Sequence, residues 1–570
     1  MNLLKRPQLR SFFLPVFFNS LHFPSKFSTF IQTDYMNFTR AQRYLLSLCS
    51  GLLLSISFPF TGSITPLVFL GFVPLLFISE DLQEKPRGGW HLFLQCYLTF
   101  LVFNLGTTWW VANSSFVGAL LAFVFNTLFM SLTFVLFHFV KKGLKSNWAV
   151  WTLIPLWISF EYFHFNWDLS WPWLTLGNFF SIRPSWIQWY EYTGVFGGST
   201  WVLTVNIFLF LWIRSVWIQK KQKWNRWLIG TMLSMLLPVV YSWTKMPILP
   251  FKGTQLYKVA VVQPNVDPYN EKFALGTSNE QQLKRFFSLA NSVVDSTTDL
   301  VVGPETAISQ GFIESRLPGL PFYSMIQAEM RKWGKAELLI GASTAELFDT
   351  KHSRASVYIP GQRIYYESYN SSLHIPQKGE PAFIHKSKLV PGVEMIPFSN
   401  LFPFLETLAI ENGGTSGTLG IEKEPKIFPA KEKLAPIVCY ESIYGDFVSK
   451  QVKQGARFLT VITNDGWWGD SPGYKQHFSF SSLRAIENRR WVVRSANTGK
   501  SGVFDEFGLI QKETGYWKEA AFQYPIPRLE KLTFYTKHGD YLGVISQFIA
   551  LFLFIGLGIQ FMINKRNTVS

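Results

Sequence analysis

Apolar runs long enough to cross a bilayer, about 17–25 residues each, recur through the first 245 residues and once more at the C-terminus. The pattern predicts eight spans, at 43–60, 64–79, 91–112, 116–140, 147–164, 195–214, 226–244 and 544–563. The second run is short, and Pro155 interrupts the fifth. Charged residues make up only 16% of the chain, against about 25% in soluble proteins. We therefore expect a multi-span α-helical membrane domain.

Positive charge collects in the short segments beside these runs. The net charge is +16, and much of the excess falls in five basic clusters, so nucleic-acid binding is not expected. The clusters are Arg40 and Arg43; Lys85 and Arg87; Lys141, Lys142 and Lys145; Arg214, Lys220, Lys221, Lys223 and Arg226; and Lys565 and Arg566. If the spans alternate in direction, all five clusters lie on one side, which the positive-inside rule makes cytoplasmic. The long stretch 245–543 then lies outside the cytoplasm.

The chain divides into four parts on this pattern. Residues 1–39 form an N-terminal extension without a continuous apolar segment or a clear cleavage site, and Met36 suggests the hypothesis of an over-extended start. Residues 40–245 form a seven-helix transmembrane domain, and 246–535 form an extracytoplasmic catalytic domain. Residues 536–570 form the last span and a cytoplasmic tail.

Strand-like and helix-like segments alternate in the extracytoplasmic part, which is typical of an α/β domain. Strands are predicted at 257–262, 300–302, 337–341, 355–359, 435–439, 458–463 and 491–494, and helices at 278–295 and 474–490. The first of these helices begins with a capping box, Ser278 with Gln281. The segment 411–433 is interpreted as a mobile loop.

Three aromatic or apolar segments have two interpretations each. The tryptophan-rich loop 165–194 forms either an interfacial aromatic belt or a lipid-facing access to a site. Segments 311–313 and 402–405 either pack in a domain core or dip into the membrane.

The chain has three cysteines, Cys49, Cys96 and Cys439. The first two lie in apolar runs and are expected to be small buried side chains. Their wide separation gives neither a metal-ligand spacing nor a disulfide framework, so Cys439 is expected to be an unpaired thiol.

Three residues beside apolar segments are candidates for acyl-transfer chemistry. Cys439 would be a nucleophile if a cation favours its thiolate. Glu305 would accept the thiol proton, and desolvation would suit it to that role. Lys386 would stabilise the thiolate and an oxyanion, although spacing does not separate it from Lys388. Each residue alone is also open to a structural interpretation, as a core thiol, a surface carboxylate or a solvated lysine.

The motifs around these residues together resemble the nitrilase, or carbon–nitrogen hydrolase, superfamily. They are Gly303-Pro304-Glu305, Lys386 before Leu389-Val390-Pro391, Cys439-Tyr440-Glu441, the run from Thr463 to Asp470, Gln476-His477, the run from Arg484 to Arg489, and the run from Arg494 to Gly499. With spans on both sides, the chain from about residue 40 resembles the bacterial apolipoprotein N-acyltransferase family. Glu161 and the Trp171-Pro172-Trp173 run with Gly177 also resemble patterns of that family.

The resemblance implies a multi-span α-helical membrane domain plus an α/β nitrilase-like domain, a four-layer αββα sandwich on the periplasmic side of the inner membrane. The implied site residues are the catalytic Glu305, Lys386 and Cys439 and the supporting Glu394, Tyr440 and Glu441. It implies acyl transfer through a cysteine thioester, from a phospholipid donor, with phosphatidylethanolamine expected, to a diacylated apolipoprotein. No metal or organic cofactor is required.

The sequence departs from the family pattern in three places. Gly303 stands before the Pro-Glu pair, where tryptophan is frequent, and Val393 stands in a run that reads Pro-Phe-Gly-Glu in the family. Phe273 or Tyr269 replaces a functional tryptophan after the first strand of the domain. These departures concern the pocket shape and the binding of acyl chains rather than the three catalytic residues.

Three other functions are open from the sequence. A membrane-anchored nitrilase or amidase that hydrolyses a soluble amide would use the same residues and release ammonia. A transporter or channel would place ionisable residues within the spans, which here hold few beyond the border residues Glu161 and His138. An intact Glu, Lys and Cys set argues against an inactive scaffold.

Overall fold

The computed structural model describes residues 37–247, 256–273, 278–399, 401, 418–430 and 432–569. The extension before residue 37, the segment 402–405 and residues 411–417 of the predicted loop lie outside the described residues. The hypotheses about those segments stay predictions.

The N-terminal part is built of helices. In chain order they are α1 (Arg40–Ser57), α2 (Val73–Asp81), α3 (Gly88–Thr108), α4 (Phe116–Leu144), α5 (Leu153–His164), α6 (Tyr190–Trp217) and α7 (Arg226–Lys245). Side-chain caps explain where several begin: Thr39 forms a capping box with Gln42 before α1, and Ser115 accepts the Gly118 amide hydrogen before α4.

The second part contains two β-sheets with helices on their faces, followed by a last long helix. Its elements are β1 (Leu256–Gln263), α8 (Asn279–Asn291), β2 (Leu300–Val302), β3 (Ile308–Ile313), α9 (Pro321–Lys332), β4 (Glu337–Phe348), β5 (Val357–Ile359), β6 (Ile364–Ile375), β7 (Ala382–His385), β8 (Leu434–Val438), α10 (Gly445–Lys453), β9 (Phe458–Thr463), α11 (Pro472–Asn488), β10 (Val492–Ala496), β11 (Gly502–Phe504), β12 (Ile510–Glu513), β13 (Ala520–Pro527), α12 (Phe534–His538) and α13 (Tyr541–Val569). All the predicted strands and both predicted helices are present, with ends shifted by a few residues.

Five helices of the described residues are long and apolar enough to cross a membrane. They are α3 with its extension to Asn113, α4, α6, α7 and α13, and they match five of the eight predicted spans. The helix at the first predicted span, α1, has 18 residues but is less apolar.

The two remaining predicted spans are each divided into a 3₁₀ helix and a short α-helix. The second predicted span contains Thr65–Leu70 followed by α2, and the fifth contains Asn147–Thr152 followed by α5. Pro66 and Pro74 lie in the first turns of the two helices of the second span. Amide groups in the first turn have no acceptor within the helix, so proline costs no helical hydrogen bond there. Proline therefore starts new helices here and prevents one continuous span.

The two sheets have different strand orders. The first runs β13-β1-β2-β4-β6-β5, with β3 paired to β4 and β7 paired to β6. The second runs β12-β11-β10-β9-β8. Strands β1, β2 and β4 are parallel neighbours, and so are β8, β9 and β10. Strands β2, β8 and β9 are buried on both faces, which explains their unbroken apolar sequences.

The sheets pack face to face, and helices cover both outer faces. Val302 of the first sheet shares a core with Val438 and Ile462 of the second. Helices α8 and α9 cover the outer face of the first sheet, and α10 and α11 cover that of the second. The result is the expected four-layer αββα sandwich. Phe312 in β3 contacts the rings of Phe322 and Phe383 and packs in the domain core, whereas Gly311 beside it is exposed.

Helix α11 packs directly on the membrane part. The Trp173 ring lies 5.2 Å from that of Phe480, and Trp173 Nε1 donates to Gln476 Oε1 at 2.8 Å. Gln476 Nε2 in turn donates to the carbonyls of Pro59 and Thr107. Trp173 is only 1% exposed, so this tryptophan of the loop 165–194 belongs to the interface between the two parts. It contributes neither to an aromatic belt nor to an open lipid access.

Candidate active site

The three predicted catalytic residues each follow a β-strand. Glu305 lies three residues after β2, Lys386 directly after β7, and Cys439 directly after β8. Cys439 begins a 3₁₀ turn and has φ 50, a left-handed conformation that is uncommon outside glycine. The predicted strand 435–439 therefore ends one residue early, and the sharp turn sets the thiol apart from the strand.

The structure brings Lys386 between two carboxylates. Lys386 Nζ lies 2.8 Å from Glu394 Oε1 and 3.3 Å from Glu305 Oε1. Asn370 Nδ2 donates to the same two oxygens, at 2.8 Å for Glu305 and 3.1 Å for Glu394. Glu394 also accepts the amide hydrogen of Val390 through its other oxygen, at 2.8 Å. Four side chains thus form one buried polar cluster.

The electrostatics of the cluster favour a charged lysine and a protonated thiol. Burial alone would lower the pKa of Lys386, but Glu394, Glu305 and Cys439 outweigh it and raise that pKa. Burial raises the pKa of the Cys439 thiol, Glu305 adds to this, and Lys386 opposes it. Cys439 therefore needs a base to remove its proton during attack. The carboxylate of Glu305 is the neighbouring group suited to this.

The neighbouring lysine points elsewhere. Lys388 Nζ lies 5.0 Å from the centroid of the Tyr444 ring and makes no ion pair with Glu305 or Glu394. The geometry therefore places Lys386 and not Lys388 in the cluster, which spacing in the sequence did not decide.

Glu441 connects the lysine segment to the cysteine turn. Its Oε1 accepts the amide hydrogens of Ser387 at 2.5 Å and Lys388 at 3.4 Å. Its Oε2 accepts the amide hydrogen of Val438 at 2.7 Å. The carboxylate thereby holds together the two segments that carry Lys386 and Cys439.

Tyr440 faces the loop after α5. Its hydroxyl donates to the Ser170 carbonyl at 2.9 Å, and the Tyr444 hydroxyl donates to the Ser170 hydroxyl at 3.0 Å. The loop after α5 thus contacts the turn that begins at Cys439.

A second polar cluster lies behind this turn. His477 Nδ1 contacts Asp465 Oδ1 at 2.8 Å, and Arg494 donates to Asp465 Oδ2 at 2.7 Å. His477 Nε2 lies 2.9 Å from the Ser442 hydroxyl and 3.1 Å from the Cys439 carbonyl. Sulfur, nitrogen and oxygen atoms of Cys439, His477 and Asp465 lie within 4.8 Å of one another, as metal ligands would. Because protein partners already engage the Asp465 and His477 atoms, support of the cysteine turn explains the cluster better.

Sequence reasoning missed Asn370 and Lys272. Asn370 lies in β6, whose polar residues gave no strand pattern. Lys272 Nζ donates to the Glu305 carbonyl at 2.8 Å, although its position beside Phe273 carried no signal of its own.

Phe273 stacks on Trp467 with ring centroids 5.9 Å apart, so an aromatic contact exists where the family pattern has tryptophan.

Gly303 has a packing reason. A Cβ added there would lie 2.8 Å from the Phe286 ring and 2.9 Å from Ile340 Cγ1. The space that a larger side chain would need is therefore filled by α8 and β4.

The chain is similar to known proteins along most of its length. The family model described as apolipoprotein N-acyltransferase N-terminal domain matches residues 50–208, and the carbon-nitrogen hydrolase model matches residues 258–528. The apolipoprotein N-acyltransferase of Chlorobaculum tepidum is 34% identical over 518 residues, which cover 87% of this chain and 93% of the relative. That of Geobacter metallireducens is 28% identical, with 87% and 92% covered. The solved structure of an amidase from Nesterenkonia sp. aligns with 49% of this chain and 93% of its own, at 14% identity and a TM-score of 0.34.

Proposed function

The chain belongs to the apolipoprotein N-acyltransferase family, and from this premise we propose that Cys439 carries an acyl group from a phospholipid to a lipoprotein amine. As a member of this family, the chain is a membrane acyltransferase that acts in lipoprotein N-acylation. The proposal adds the residues that perform the reaction, the phospholipid donor, with phosphatidylethanolamine expected, and the periplasmic side of the inner membrane.

In the first half-reaction, the Cys439 sulfur attacks the sn-1 ester carbonyl of the phospholipid. Glu305 takes the thiol proton and returns it to the leaving lyso-phospholipid oxygen, as the carbon–sulfur bond forms and the carbon–oxygen bond breaks. Lys386 stabilises the negative oxygen of the tetrahedral intermediate. The product is an acyl thioester on Cys439.

In the second half-reaction, the free α-amine of a diacylglyceryl-cysteine attacks this thioester. Glu305 removes a proton from the amine and returns one to the Cys439 sulfur, as the carbon–nitrogen bond forms and the carbon–sulfur bond breaks. The lipoprotein leaves with three acyl chains. Two half-reactions through one covalent intermediate predict ping-pong kinetics.

The observation that carries this proposal is the buried ammonium of Lys386. Its side chain is 1% exposed and lies between Glu305 and Glu394, in a cluster that acts electrostatically on an unpaired thiol. Burying charges costs free energy that a hydrophobic core would avoid. A positive charge held in place before the reaction is what a developing oxyanion requires.

The lipid nature of both substrates explains the attached helices. Each acyl methylene buried in the bilayer contributes roughly 0.8 kcal/mol, so neither substrate leaves the membrane readily. The catalytic turn must therefore lie near the membrane, and the packing of α11 on the membrane helices supports this. The five basic clusters support an orientation with the site on the periplasmic side.

Mass spectrometry of the purified full-length enzyme tests the proposal. After incubation with phosphatidylethanolamine, we expect one acyl group on Cys439, and none in Cys439→Ser. Adding a diacylated lipopeptide should remove the acyl group from the enzyme and place it on the peptide amine. An unmodified Cys439 in an enzyme that still transfers acyl groups would overturn the proposal. Ammonia release from a soluble amide, without an acyl-enzyme, would favour the amidase instead.

A matched pair of lysine variants tests the assignment of Lys386. Lys386→Met should slow acylation of Cys439 by roughly 10²–10³-fold, the loss typical of one oxyanion donor. Lys388→Met should stay close to wild type, because its ammonium lies on the Tyr444 ring. Thermal unfolding in detergent controls for folding. If Lys388→Met alone abolished acylation, the assignment would be wrong.

A further inference from the structure

Lys272 is a buried charge that the proposed mechanism does not use. Only 2% of this residue is exposed, and its ammonium donates to the main-chain carbonyl of Glu305 at 2.8 Å. We propose that Lys272 is a positioning residue for the acylation step. It anchors the turn that carries Glu305, and it adds a second positive charge that favours the Cys439 thiolate.

The fold fixes the main chain of Lys272 from several sides. Its amide hydrogen is donated to the Asp267 carbonyl at 2.8 Å. Its carbonyl accepts hydrogen bonds from Gln282 Nε2 and Ser309 Oγ, both at 2.9 Å. These two donors belong to α8 of the outer layer and to β3 of the first sheet, so elements of two layers hold the loop after β1. The side chain is therefore directed inward by a rigid frame.

The turn at Glu305 is strained and enclosed. Thr306 has φ 46, a left-handed conformation that is unfavourable for a β-branched residue. Gly341 of β4 lies directly against this turn, because an added Cβ there would come 2.5 Å from Thr306 N and 2.6 Å from Glu305 Cα. The hydrogen bond from Lys272 to the Glu305 carbonyl restrains the same turn. Loss of that bond would let the base move relative to the thiol.

The balance of buried charges explains why Lys272 favours the Cys439 thiolate. The carboxylates of Glu305 and Glu394 balance the ammonium groups of Lys386 and Lys272. The balance persists when the Cys439 proton moves to Glu305, because one negative charge replaces another. Without Lys272, the buried site carries one excess negative charge, and ionisation of the thiol beside a still-ionised Glu305 adds a second one, which raises the pKa of the thiol.

The charge of Lys272 is linked to that of the thiol. Burial lowers the pKa of Lys272 to about 7, while Glu305 and Cys439 act in the opposite direction. Below this pH, the Lys272 charge is present and favours the Cys439 thiolate, and above it the charge is lost. The other charged groups that act on the thiol are Glu305, Lys386 and Asp465, and the variants below keep all of them.

Alkylation of the full-length enzyme without lipid measures this linkage. At pH 6, we expect Lys272→Met to react with methyl methanethiosulfonate at Cys439 about tenfold more slowly than wild type, the effect of one unit in a thiol pKa. The difference should shrink at pH 8, where wild type has lost the Lys272 proton. Cys49 was expected from the sequence to be buried, but the structure exposes it on α1, so this thiol serves as an internal reference. Lys332→Met, a change at an exposed lysine, is the matched control. Equal rates at pH 6 would overturn the charge role.

The rate at which phosphatidylethanolamine acylates Cys439 tests whether Lys272 positions Glu305. Lys272→Met should slow it by roughly 10- to 100-fold, less than the loss of a direct oxyanion donor. An unchanged acylation rate would overturn this role. If Lys272→Met fails to fold, alkylation of Lys272→Arg at pH 8 tests the charge role instead. The arginine keeps its positive charge at pH 8, so Cys439 should react faster in this variant than in wild type. Slower alkylation of Lys272→Arg at pH 8 would contradict the proposal.

This inference rests on the proposed roles of Glu305 and Cys439. The alkylation experiment contains no acyl donor, so it reports on Lys272 even if the phospholipid proposal fails. The acyl-transfer experiment under "Proposed function" uses the wild-type residue at position 272, so its outcome does not depend on Lys272 variants.

Discussion

Glu441 is a buried carboxylate whose ionisation bears on the integrity of the site. It is 2% exposed and accepts main-chain hydrogen bonds from the lysine segment and from the cysteine turn. Burial raises the pKa of Glu441 from 4.5 to about 7, although these hydrogen bonds and Lys386 act to lower it. The folded protein therefore binds a proton at Glu441 over a pH range in which the unfolded chain does not.

The pH dependence of stability should reveal this proton. Because the folded pKa is raised, the stabilising contribution of Glu441 is complete below pH 4.5 and is lost as the pH rises to about 7. We expect the melting temperature of wild type to fall more between pH 5 and pH 7 than that of Glu441→Gln, measured by thermal unfolding in detergent. Glu487 and Asp505 also have raised pKa values, and both remain in the variant, so the difference isolates Glu441. Parallel curves would contradict the prediction.

Helix α5 and the loop after it link the membrane helices to the cysteine turn. Glu161 of α5 is 4% exposed, and its Oε1 accepts from Trp157 Nε1 at 3.1 Å and from the Leu176 amide at 2.8 Å. The same loop presents Ser170 to Tyr440. Glu161 thus accepts hydrogen bonds that hold the loop after α5 in place. This structural role explains why an ionisable residue lies at the border of a predicted span.

Two substitutions at Glu161 separate hydrogen bonding from charge. Glu161→Gln keeps an acceptor oxygen and should change the melting temperature little. Glu161→Leu leaves the buried Leu176 amide without its partner and should destabilise the protein by about 1–3 kcal/mol. Thermal unfolding in detergent measures both. Equal destabilisation by the two variants would show that the charge of Glu161, rather than its acceptor oxygen, matters.

The local hydrophobic pattern predicted some strands and missed others. Strands β2, β8 and β9 are apolar throughout, because both of their faces are buried, and all three were predicted. Strand β6 has 12 residues and was missed, because polar residues such as Asn370, Ser371 and Ser372 replace the apolar pattern. Asn370 is polar because it faces Glu305 and Glu394. The polar contacts of β6 therefore explain why its sequence lacks an apolar strand pattern.

At the scale of the whole molecule, one hydrophobic core joins the membrane helices to the fourth layer of the sandwich. Phe480 of α11 packs on Trp173, and Tyr444 packs on Phe165 of the loop after α5. Side chains from both parts, including Phe179 and Phe478, belong to the same core. The α/β part therefore lacks a complete polar surface of its own.

Expression of residues 256–535 alone tests this continuity. We expect the fragment to aggregate or to bind a hydrophobic dye strongly, because the face of α11 that packs on the membrane helices becomes exposed. Size-exclusion chromatography and dye fluorescence measure this, with the full-length protein in detergent as the control. A monodisperse fragment that dye does not bind would contradict the prediction.

The sequence by itself determined the features that local pattern encodes: the apolar spans, the strands buried on both faces, and the motifs of Glu305, Lys386 and Cys439. Only the tertiary structure decided which lysine meets the carboxylates, that Asn370 and Lys272 join them, and that Trp173 is an interface residue. The physical reason is the separation along the chain. Lys386 meets Glu305 across 81 positions, and Trp173 meets Gln476 across 303. Such contacts depend on how sheets and helices pack, and no local spacing records that packing.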